Sequence, residues 1–317
     1  MTATTSKALL SSRCVVADDV DAYSGALPGL HLDVVRTGAG FGANTTQSVL
    51  FDDVTLSSGQ IGFPVLGRTN VAEDRVIAAL VTAAPPGSRW CHMDLEPGTV
   101  LLYGSGAEHT GVDPAGLEFV FTTVELDSLN ETASHLELRQ PSVPRGHVYA
   151  LAPVAEVRFL ATVLQSIQAQ LFSDGITAAV RRTTVEALAV ALSPESSSRR
   201  VGGRRTTDDF RIVRRCIEYS ETVNRHPSMT ELSHAAFVSE RRLRDAFTNL
   251  SGLPPHKYFR RRALNDAHQR LASGTAERET VSRVATDLGF YNLGRFARQY
   301  ADIHGEAPSV TLASAPR

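Results

Sequence analysis

Cysteine is scarce in this chain of 317 residues: Cys14, Cys91 and Cys216 are the whole complement. Three cysteines, odd in number and far apart, indicate neither a disulfide framework nor a cysteine zinc site. Long apolar runs are missing too. The longest, residues 76–84, falls far short of the ~20 residues a membrane-spanning helix needs. The opening residues carry one lysine, Lys7, and no extended apolar stretch behind it. No secretory leader is expected, and the cytoplasm is the expected compartment. Composition is ordinary otherwise, with 42% hydrophobic and 21% charged residues, 23 Gly and 15 Pro. That excludes collagen-like, coiled-coil and wholly disordered classes. The length suggests two domains.

Net charge is small, −2, but it hides an asymmetry. Residues 199–317 hold 21 Lys and Arg against 13 Asp and Glu, a net of +8; residues 1–198 hold 11 against 21, a net of −10. An acidic front and a basic back suggest that only the back meets a polyanion. A basic surface that is merely solvated is the alternative. Within the back half every basic residue except Lys257 is Arg, whose planar fork of donors suits phosphates and guanine edges.

Residues 1–27 read as an ill-defined lead-in. Runs rich in Val, Leu, Phe and Thr follow at 31–36, 48–56, 76–83, 99–103 and 117–126, separated by Gly, Pro, Asn and Asp. Many short strands with such turns predict a sandwich or barrel. After Pro144 the texture changes. Residues 147–172 carry apolar positions at helical spacing, then a Ser-Asp-Gly break, then a second such run over 177–192. This predicts a helical hairpin. Residues 193–205 are polar, rich in Gly and Ser, and basic, as an interdomain linker is. From Thr207 onward nearly everything reads as helix.

The last hundred residues repeat at an offset of 53: Ser239 matches Asn292, Leu243 Phe296, Phe247 Tyr300, Gly252 Gly305, and Pro255 Pro308. Ser and Asn are helix N-cap residues. Positions four and eight further on share one helix face and serve as core anchors. The glycine suits a left-handed helix end, and proline starts the next helix. A short helix precedes each copy, opened in the first by a Ser228/Glu231 capping box and spanning 281–288 in the second. Short helix, tight turn and second helix make a helix-turn-helix. Residues 255–272 predict one connecting helix of ~27 Å, enough to set two recognition helices about one DNA turn apart. A plain helical bundle of duplicated ancestry is the alternative.

The segments VSERRLRDAF (238–247), GLPPHKY (252–258), VATDLGF (284–290), GRFARQY (294–300) and GEAPS (305–309) resemble the DNA-binding domain of the AraC/XylS family of bacterial transcription regulators. The resemblance covers about 208–312. It implies two helix-turn-helix units joined by a helix, each with one recognition helix in successive major grooves. Phe237 departs from the pattern, standing where a small turn residue is common. So does Ala263, where the family usually has Arg, and His304, where an aromatic often precedes Gly305. On the first recognition helix Arg241, Arg244, Asp245 and Thr248 share the outward face. The resemblance makes Arg241, Arg244 and Asp245 base readers, with Arg suited to guanine and Asp to cytosine; Arg244 and Asp245 otherwise only tune surface charge. On the second helix Gly294, Arg295 and Arg298 face outward, with more phosphate contact than readout expected. Arg242, Arg260 and Arg261 are phosphate candidates.

For the front, the resemblance implies an effector-binding and dimerisation module, a cupin-like β-barrel followed by helices. Gly98, Gly104, Gly106, His109 and Asp113 are similar to the second cupin motif, with Gly104 for its Pro and Asp113 for its Asn; the first motif is not found. His109 and His92 alone do not make a metal site, so no metal and no cofactor is expected. An apolar pocket with a few polar groups would draw on Trp90, His92, Tyr103, His109, Phe119 and Phe121, any of which otherwise serves as core. Arg36, Arg75 and Arg89 would pair a ligand carboxylate or stand as surface charges. The expected architecture is therefore α+β: a cupin-like domain (1–146), a helical hairpin for dimerisation (147–193), a linker (194–207) and an all-α double helix-turn-helix domain (208–312). The expected function is that of a sequence-specific transcription regulator, an effector-responsive activator and not an enzyme. Its partners would be double-stranded DNA, a small-molecule effector, RNA polymerase and a second copy of itself. Two alternatives stand beside it: a cupin-type metalloenzyme with an appended DNA-binding module, and a constitutive DNA-binding protein whose front half only dimerises.

Overall fold

The computed structural model describes residues 9–27, 30–90, 93–143, 145–171, 176–194, 200–201, 207–223, 227–274 and 279–315. The chain starts with β1 (Leu9–Ala17) and α1 (Val20–Ser24), the latter capped by the Asp19 carboxylate on the Ala22 N–H. Strands β2 (His31–Arg36), β3 (Asn44–Phe51), β4 (Val54–Gln60), β5 (Val65–Asn70) and β6 (Arg75–Ala83) follow. Next come β7 (Arg89–Trp90), β8 (Met93–Asp94), β9 (Val100–Tyr103), β10 (Glu108–Asp113) and β11 (Glu118–Glu125). Helix α2 (Leu126–His135), strand β12 (Val148–Leu151), helices α3 (Ala155–Leu171) and α4 (Ala178–Leu192) and strand β13 (Arg200–Val201) complete the front. The back is helical: α5 (Thr207–Thr222), α6 (Met229–Ala236), α7 (Glu240–Ser251), α8 (Pro255–Ser273), α9 (Val281–Asp287), α10 (Leu293–His304) and α11 (Pro308–Ser314). No helix of the described residues is long and apolar enough to cross a membrane.

The strands make two antiparallel sheets, one of order β1-β3-β4-β11-β6-β9-β12-β13 and one of order β2-β5-β10-β7-β8. Each keeps two edges, so the closed barrel expected from the sequence is corrected to two facing sheets among the described residues. Side chains of a strand alternate between faces, and β6 shows the result. Ile77, Ala79 and Val81 enter the core between the sheets, while Val76, Ala78 and Leu80 enter a second core under α2, α3 and α4. Burial on both faces is why residues 76–84 form the longest apolar run.

Four expectations change. The lead-in holds β1 and α1. The single run at 48–56 is a hairpin, because Asp52 and Asp53 turn the chain between β3 and β4. The hairpin helix does not begin at 147, since β12 pairs with β9 there. Helix α2 follows β11 without a break and was not expected. Of the linker expected at 194–207, residues 194, 200–201 and 207 are described, and Arg200–Val201 pair with β12 as β13.

The turn at Asp53 also locks the helices to the large sheet. Asp53 is buried, and its carboxylate accepts from Ser128 Oγ on α2 and from Arg181 Nε (2.9 Å) and Nη2 on α4. Removing one partner of a buried ion pair strands the other charge, which costs about 3–5 kcal/mol. Asp53→Ala should therefore lower the stability of the front domain by about that amount in urea titrations; an unchanged midpoint would show that the pair is dispensable.

Candidate nucleic-acid interface and inter-sheet cavity

The two repeated units close their helix ends alike. In the first, Ser228 and Glu231 form a reciprocal capping box, with Ser228 N–H donating to Glu231 Oε2 (2.8 Å) and Glu231 N–H to Ser228 Oγ (3.2 Å). Ser239 Oγ accepts from Arg242 N–H (3.3 Å) to start α7, which ends at Gly252 with φ 68°. In the second, Asn292 Oδ1 accepts from Arg295 N–H (2.9 Å) to start α10, which ends at Gly305 with φ 78°. Such φ values favour glycine. Leu243, Ala246, Phe247 and Leu250 bury one face of α7; Phe296, Tyr300 and Ile303 bury the matching face of α10. Between them α8, with 19 residues and so ~29 Å long, belongs to both cores. Tyr258 and Phe259 pack into the first, Leu264, Ala267 and Leu271 into the second.

The opposite faces of the two helices are open. Arg241, Arg244, Asp245 and Thr248 are exposed on α7, and Gly294, Arg295 and Arg298 on α10. Arg244 pairs with Glu240 at 2.9 Å, one turn away, an exposed pair of little strength. Arg242, Arg260 and Arg261 are half-buried. Arg242 pairs with Asp209, and Arg260 Nε donates to Gln299 Oε1 (2.7 Å) while its guanidinium lies 4.6 Å from the Phe290 ring centre. Burial lowers the pKa of Arg261, and burial then Arg295 lowers that of Arg260. These three are thus held within the protein more than the phosphate role expected of them suggests.

In the front domain, five of the six residues expected at a pocket (Trp90, Tyr103, His109, Phe119 and Phe121) line one cavity of about 70 Å3 between the sheets. His92 lies outside the described residues. Their rings meet edge to face: Trp90 with His109 at 5.3 Å and 88°, Tyr103 with His109 at 4.9 Å and 80°. Sequence reading missed two further groups there, Tyr23 and Asp113. The signal for Asp113 was present, since His109, Gly111 and Asp113 alternate onto one face of β10. Trp90 Nε1 donates to Asp113 Oδ1 at 2.6 Å. Burial raises the Asp113 pKa to about 7, against the pull of the Trp90 hydrogen bond, and burial lowers that of His109 to about 3. Among the described residues no three His, Cys, Asp or Glu side chains gather as a metal ligand set.

The small sheet has a second use. Its inner face, through Leu32, Val34, Val65, Gly67, Thr69 and His109, lines the cavity. Its outer face meets the helical half. Val35 and Leu66 join the core of the first helix-turn-helix unit. Arg262 of α8 donates from Nη1 to Asp33 Oδ2 (3.0 Å) and from Nη2 to Glu221 Oε1 (3.0 Å). Asn265 grips the backbone of edge strand β2 at Arg36, accepting its N–H (3.1 Å) and donating to its carbonyl (3.2 Å). Arg89 Nη2 donates to the Asn249 carbonyl on α7 at 2.8 Å, and Arg214 of α5 pairs with Glu108 at 3.0 Å.

A family described as "Helix-turn-helix domain" matches residues 232–314. Over 92 residues the chain is 38% identical to "XylDLEGF operon transcriptional activator 2" of Pseudomonas putida, a match covering 29% of this chain and 59% of that protein. It is 37% identical over 92 residues to "XylDLEGF operon transcriptional activator 1" of the same organism, covering 28% of that protein. The chain therefore spans less than two thirds of the length of these curated relatives. A crystal structure titled as a probable AraC family transcriptional regulator from Rhodopseudomonas palustris is 37% identical, and the match covers 33% of this chain and 98% of that one, with a TM-score of 0.31. Residues 232–314 thus form a helix-turn-helix domain of the type found in AraC/XylS regulators.

Each departure from the AraC/XylS pattern has a structural outcome. Phe237 ends α6 in the left-handed region (φ 56°) with its ring exposed beside Arg215, a backbone strain that glycine would avoid. Arg262, next to Ala263, pairs with Asp33 and Glu221, and Arg270 two turns on pairs with Glu279 and Asp287. His304 fills the aromatic position. It stacks on His268 at 4.3 Å and its Nε2 meets the Leu264 carbonyl at 3.2 Å, but Nδ1 is buried without a partner. Burial, with His268 and Arg36 nearby, pushes the His304 pKa down to about 3, against the Leu264 carbonyl. The unfolded chain, at about 6.5, then binds the proton that the folded protein refuses. This contribution is complete above pH 6.5 and is lost as pH falls toward 3. His304→Phe should leave stability at pH 7.5 near wild type and gain on wild type by up to about 1.4 kcal/mol per pH unit below pH 6. Urea midpoints of both proteins across pH 7.5–4.5 test this; parallel curves would mean that His304 titrates normally in the fold.

Proposed function

We propose that this protein is a sequence-specific DNA-binding transcription regulator, an activator whose front domain senses a small molecule. The observation that carries the reading is the pair of alike-capped helices α7 and α10 joined by α8, each burying aromatic anchors and exposing arginines on its other face. A helix N-terminal half with exposed Arg and Asp side chains is what a major groove admits. The P. putida relatives, named as operon activators, support activation, and with it a contact to RNA polymerase. The match to those proteins covers 29% of this chain, so the sensing role rests on this chain's own front half. There, one small sheet has a cavity on its inner face and the DNA-binding half docked on its outer face. A ligand that favours one arrangement of that sheet shifts the population of docked and released forms. A second copy would pair through α3, where Phe159 is 52% exposed. The cytoplasm is the compartment of such a regulator, and the reading assigns no catalytic step.

The full chain should select a defined duplex site from a random DNA pool, with log affinity falling linearly with log salt. On that site Arg241→Ala and Arg244→Ala should each cost about 1–3 kcal/mol and relax preference at one base position. Arg298→Ala should instead weaken all sequences alike and reduce the salt slope by about 1. A salt-insensitive affinity, or preferences unchanged in both α7 variants, would contradict the reading.

A further inference from the structure

The cavity between the sheets has a definite charge character. Among the described residues its lining joins aliphatic side chains and the rings of Trp90, Tyr103, Phe119 and Phe121 to a single carboxyl, that of Asp113, and includes no Arg or Lys. The three arginines expected to meet a ligand carboxylate are engaged elsewhere. Arg36 donates to the carbonyls of Gly38, Ala39 and Asp18, Arg75 pairs with Glu125 at 2.7 Å, and Arg89 reaches the Asn249 carbonyl.

The Asp113 site is built by its neighbours. Gly111 precedes it by one strand repeat, and a Cβ there would stand 2.9 Å from both Asp113 oxygens and 3.0 Å from Trp90 Cδ1. Only glycine leaves room for the indole to reach the carboxylate. Gly67 lies directly across from Gly111, so the wall is thinned at this level on two adjacent strands. His109, held neutral by burial, and Tyr23, whose pKa burial and Asp113 raise, add no positive charge. An anion would meet the Asp113 carboxyl and the electron-rich ring faces together. A cation is favoured by both.

We infer that the cavity is a binding site for a small organic cation, a protonated amine with a compact apolar body, whose charged head pairs with Asp113 while the rings of Trp90, Tyr103 and Phe119 enclose the rest. The inference rests on the sensing role proposed above and gives that role its ligand class. The size agrees with a compact body. The cavity's volume of about 70 Å3 is several times the ~10–15 Å3 that one water occupies, and about half that of a cavity known to hold benzene.

Three small probes of one skeleton test it on the full chain: propylammonium, propan-1-ol and propionate. Trp90 is the sole tryptophan, so its fluorescence reports occupancy directly, and calorimetry gives affinities. Propylammonium should bind saturably, about tenfold or more tighter than the alcohol, and propionate should not bind. Wild-type affinity for the amine should fall as pH drops below 7, because protonated Asp113 no longer attracts it, while affinity for the alcohol stays flat. Asp113→Asn should lose most amine affinity and keep that for the alcohol; the pH series on wild type stands in if that variant does not fold. Propionate binding as tightly as the amine, equal affinity for amine and alcohol, full amine binding by Asp113→Asn, or no response to any probe would each overturn the inference. Operator affinity measured with the same probes separates the two readings. An amine that binds without changing DNA affinity removes the sensing role but leaves the ligand class. A DNA response to propionate alone does the reverse.

Discussion

The alternation of side chains along β2, β5 and β10 constrains everything else in this molecule. Successive residues of a strand must face opposite ways, and here both ways are occupied. Val34, Gly67 and Gly111 lie side by side in register and look inward, as do Leu32, Thr69 and His109 one step along. The residues between them, Asp33, Val35, Leu66 and Arg68, look outward toward α5 and α8. A shift of register by one residue would exchange the two sets, placing Asp33 and Arg68 among aromatic rings and Val34 against a solvated seam. The sheet therefore cannot adjust its cavity without moving the surface on which the helical half rests.

Burial of charge works in the same direction. Asp33 meets Arg262 with Arg68 3.9 Å away, while burial opposes the charge on Arg262 and Tyr258 and Asp33 restore it. Asn265 completes the seam by satisfying an N–H and a carbonyl that edge strand β2 would otherwise present to any passing chain. One side-chain amide thus does for β2 at Arg36 what a further strand would do along its length. The contact extends to the second helix-turn-helix unit, since Arg36 stands near His304, and Gly305 lies close to Ala39.

The helical half was legible in the sequence because its information is local. A cap, two anchors and a glycine fall within fourteen residues of one another, and each has a short-range physical duty. Strands β2, β6 and β9 were legible for a related reason, being apolar runs bounded by turn residues. Three kinds of feature were not. The β3–β4 turn lies within a run of β-formers, and nothing but Asp52-Asp53 marks it. Strand β12 buries Val148 and Leu151, a spacing of three that fits a helix equally well. Asp33 and Asn265 act across 229 residues of sequence, where no pattern of neighbours can announce a pairing. Asp113 lies between these cases. Its place in a His-x-x-x-Asp segment was visible, but its importance depends on an indole from another strand and on a glycine that contributes only space.

The strength of the seam bears on whether a small ligand can influence it. Moving an equilibrium from 1:99 to 99:1 requires about 5.5 kcal/mol of differential binding, nearly all that a ligand of four heavy atoms supplies at a ceiling of about 1.5 kcal/mol per atom. A large apolar interface between the halves would therefore leave the helical domain insensitive to the cavity. The structure has instead a seam of modest elements: Val35, Leu66 and Val112 against the helical core, the Asn265 clasp, hydrogen bonds from Arg89 to Asn249 and from Gln269 to Asp21, and a few partly exposed ion pairs. The Arg262–Asp33 pair, at 22% and 24% side-chain exposure, retains enough water to be weaker than a buried bridge. For a ligand to act through it, such a seam must leave docked and released forms within a few kcal/mol of each other. That is the range in which a ligand gripping the inner face of the same three strands has leverage on the outer face.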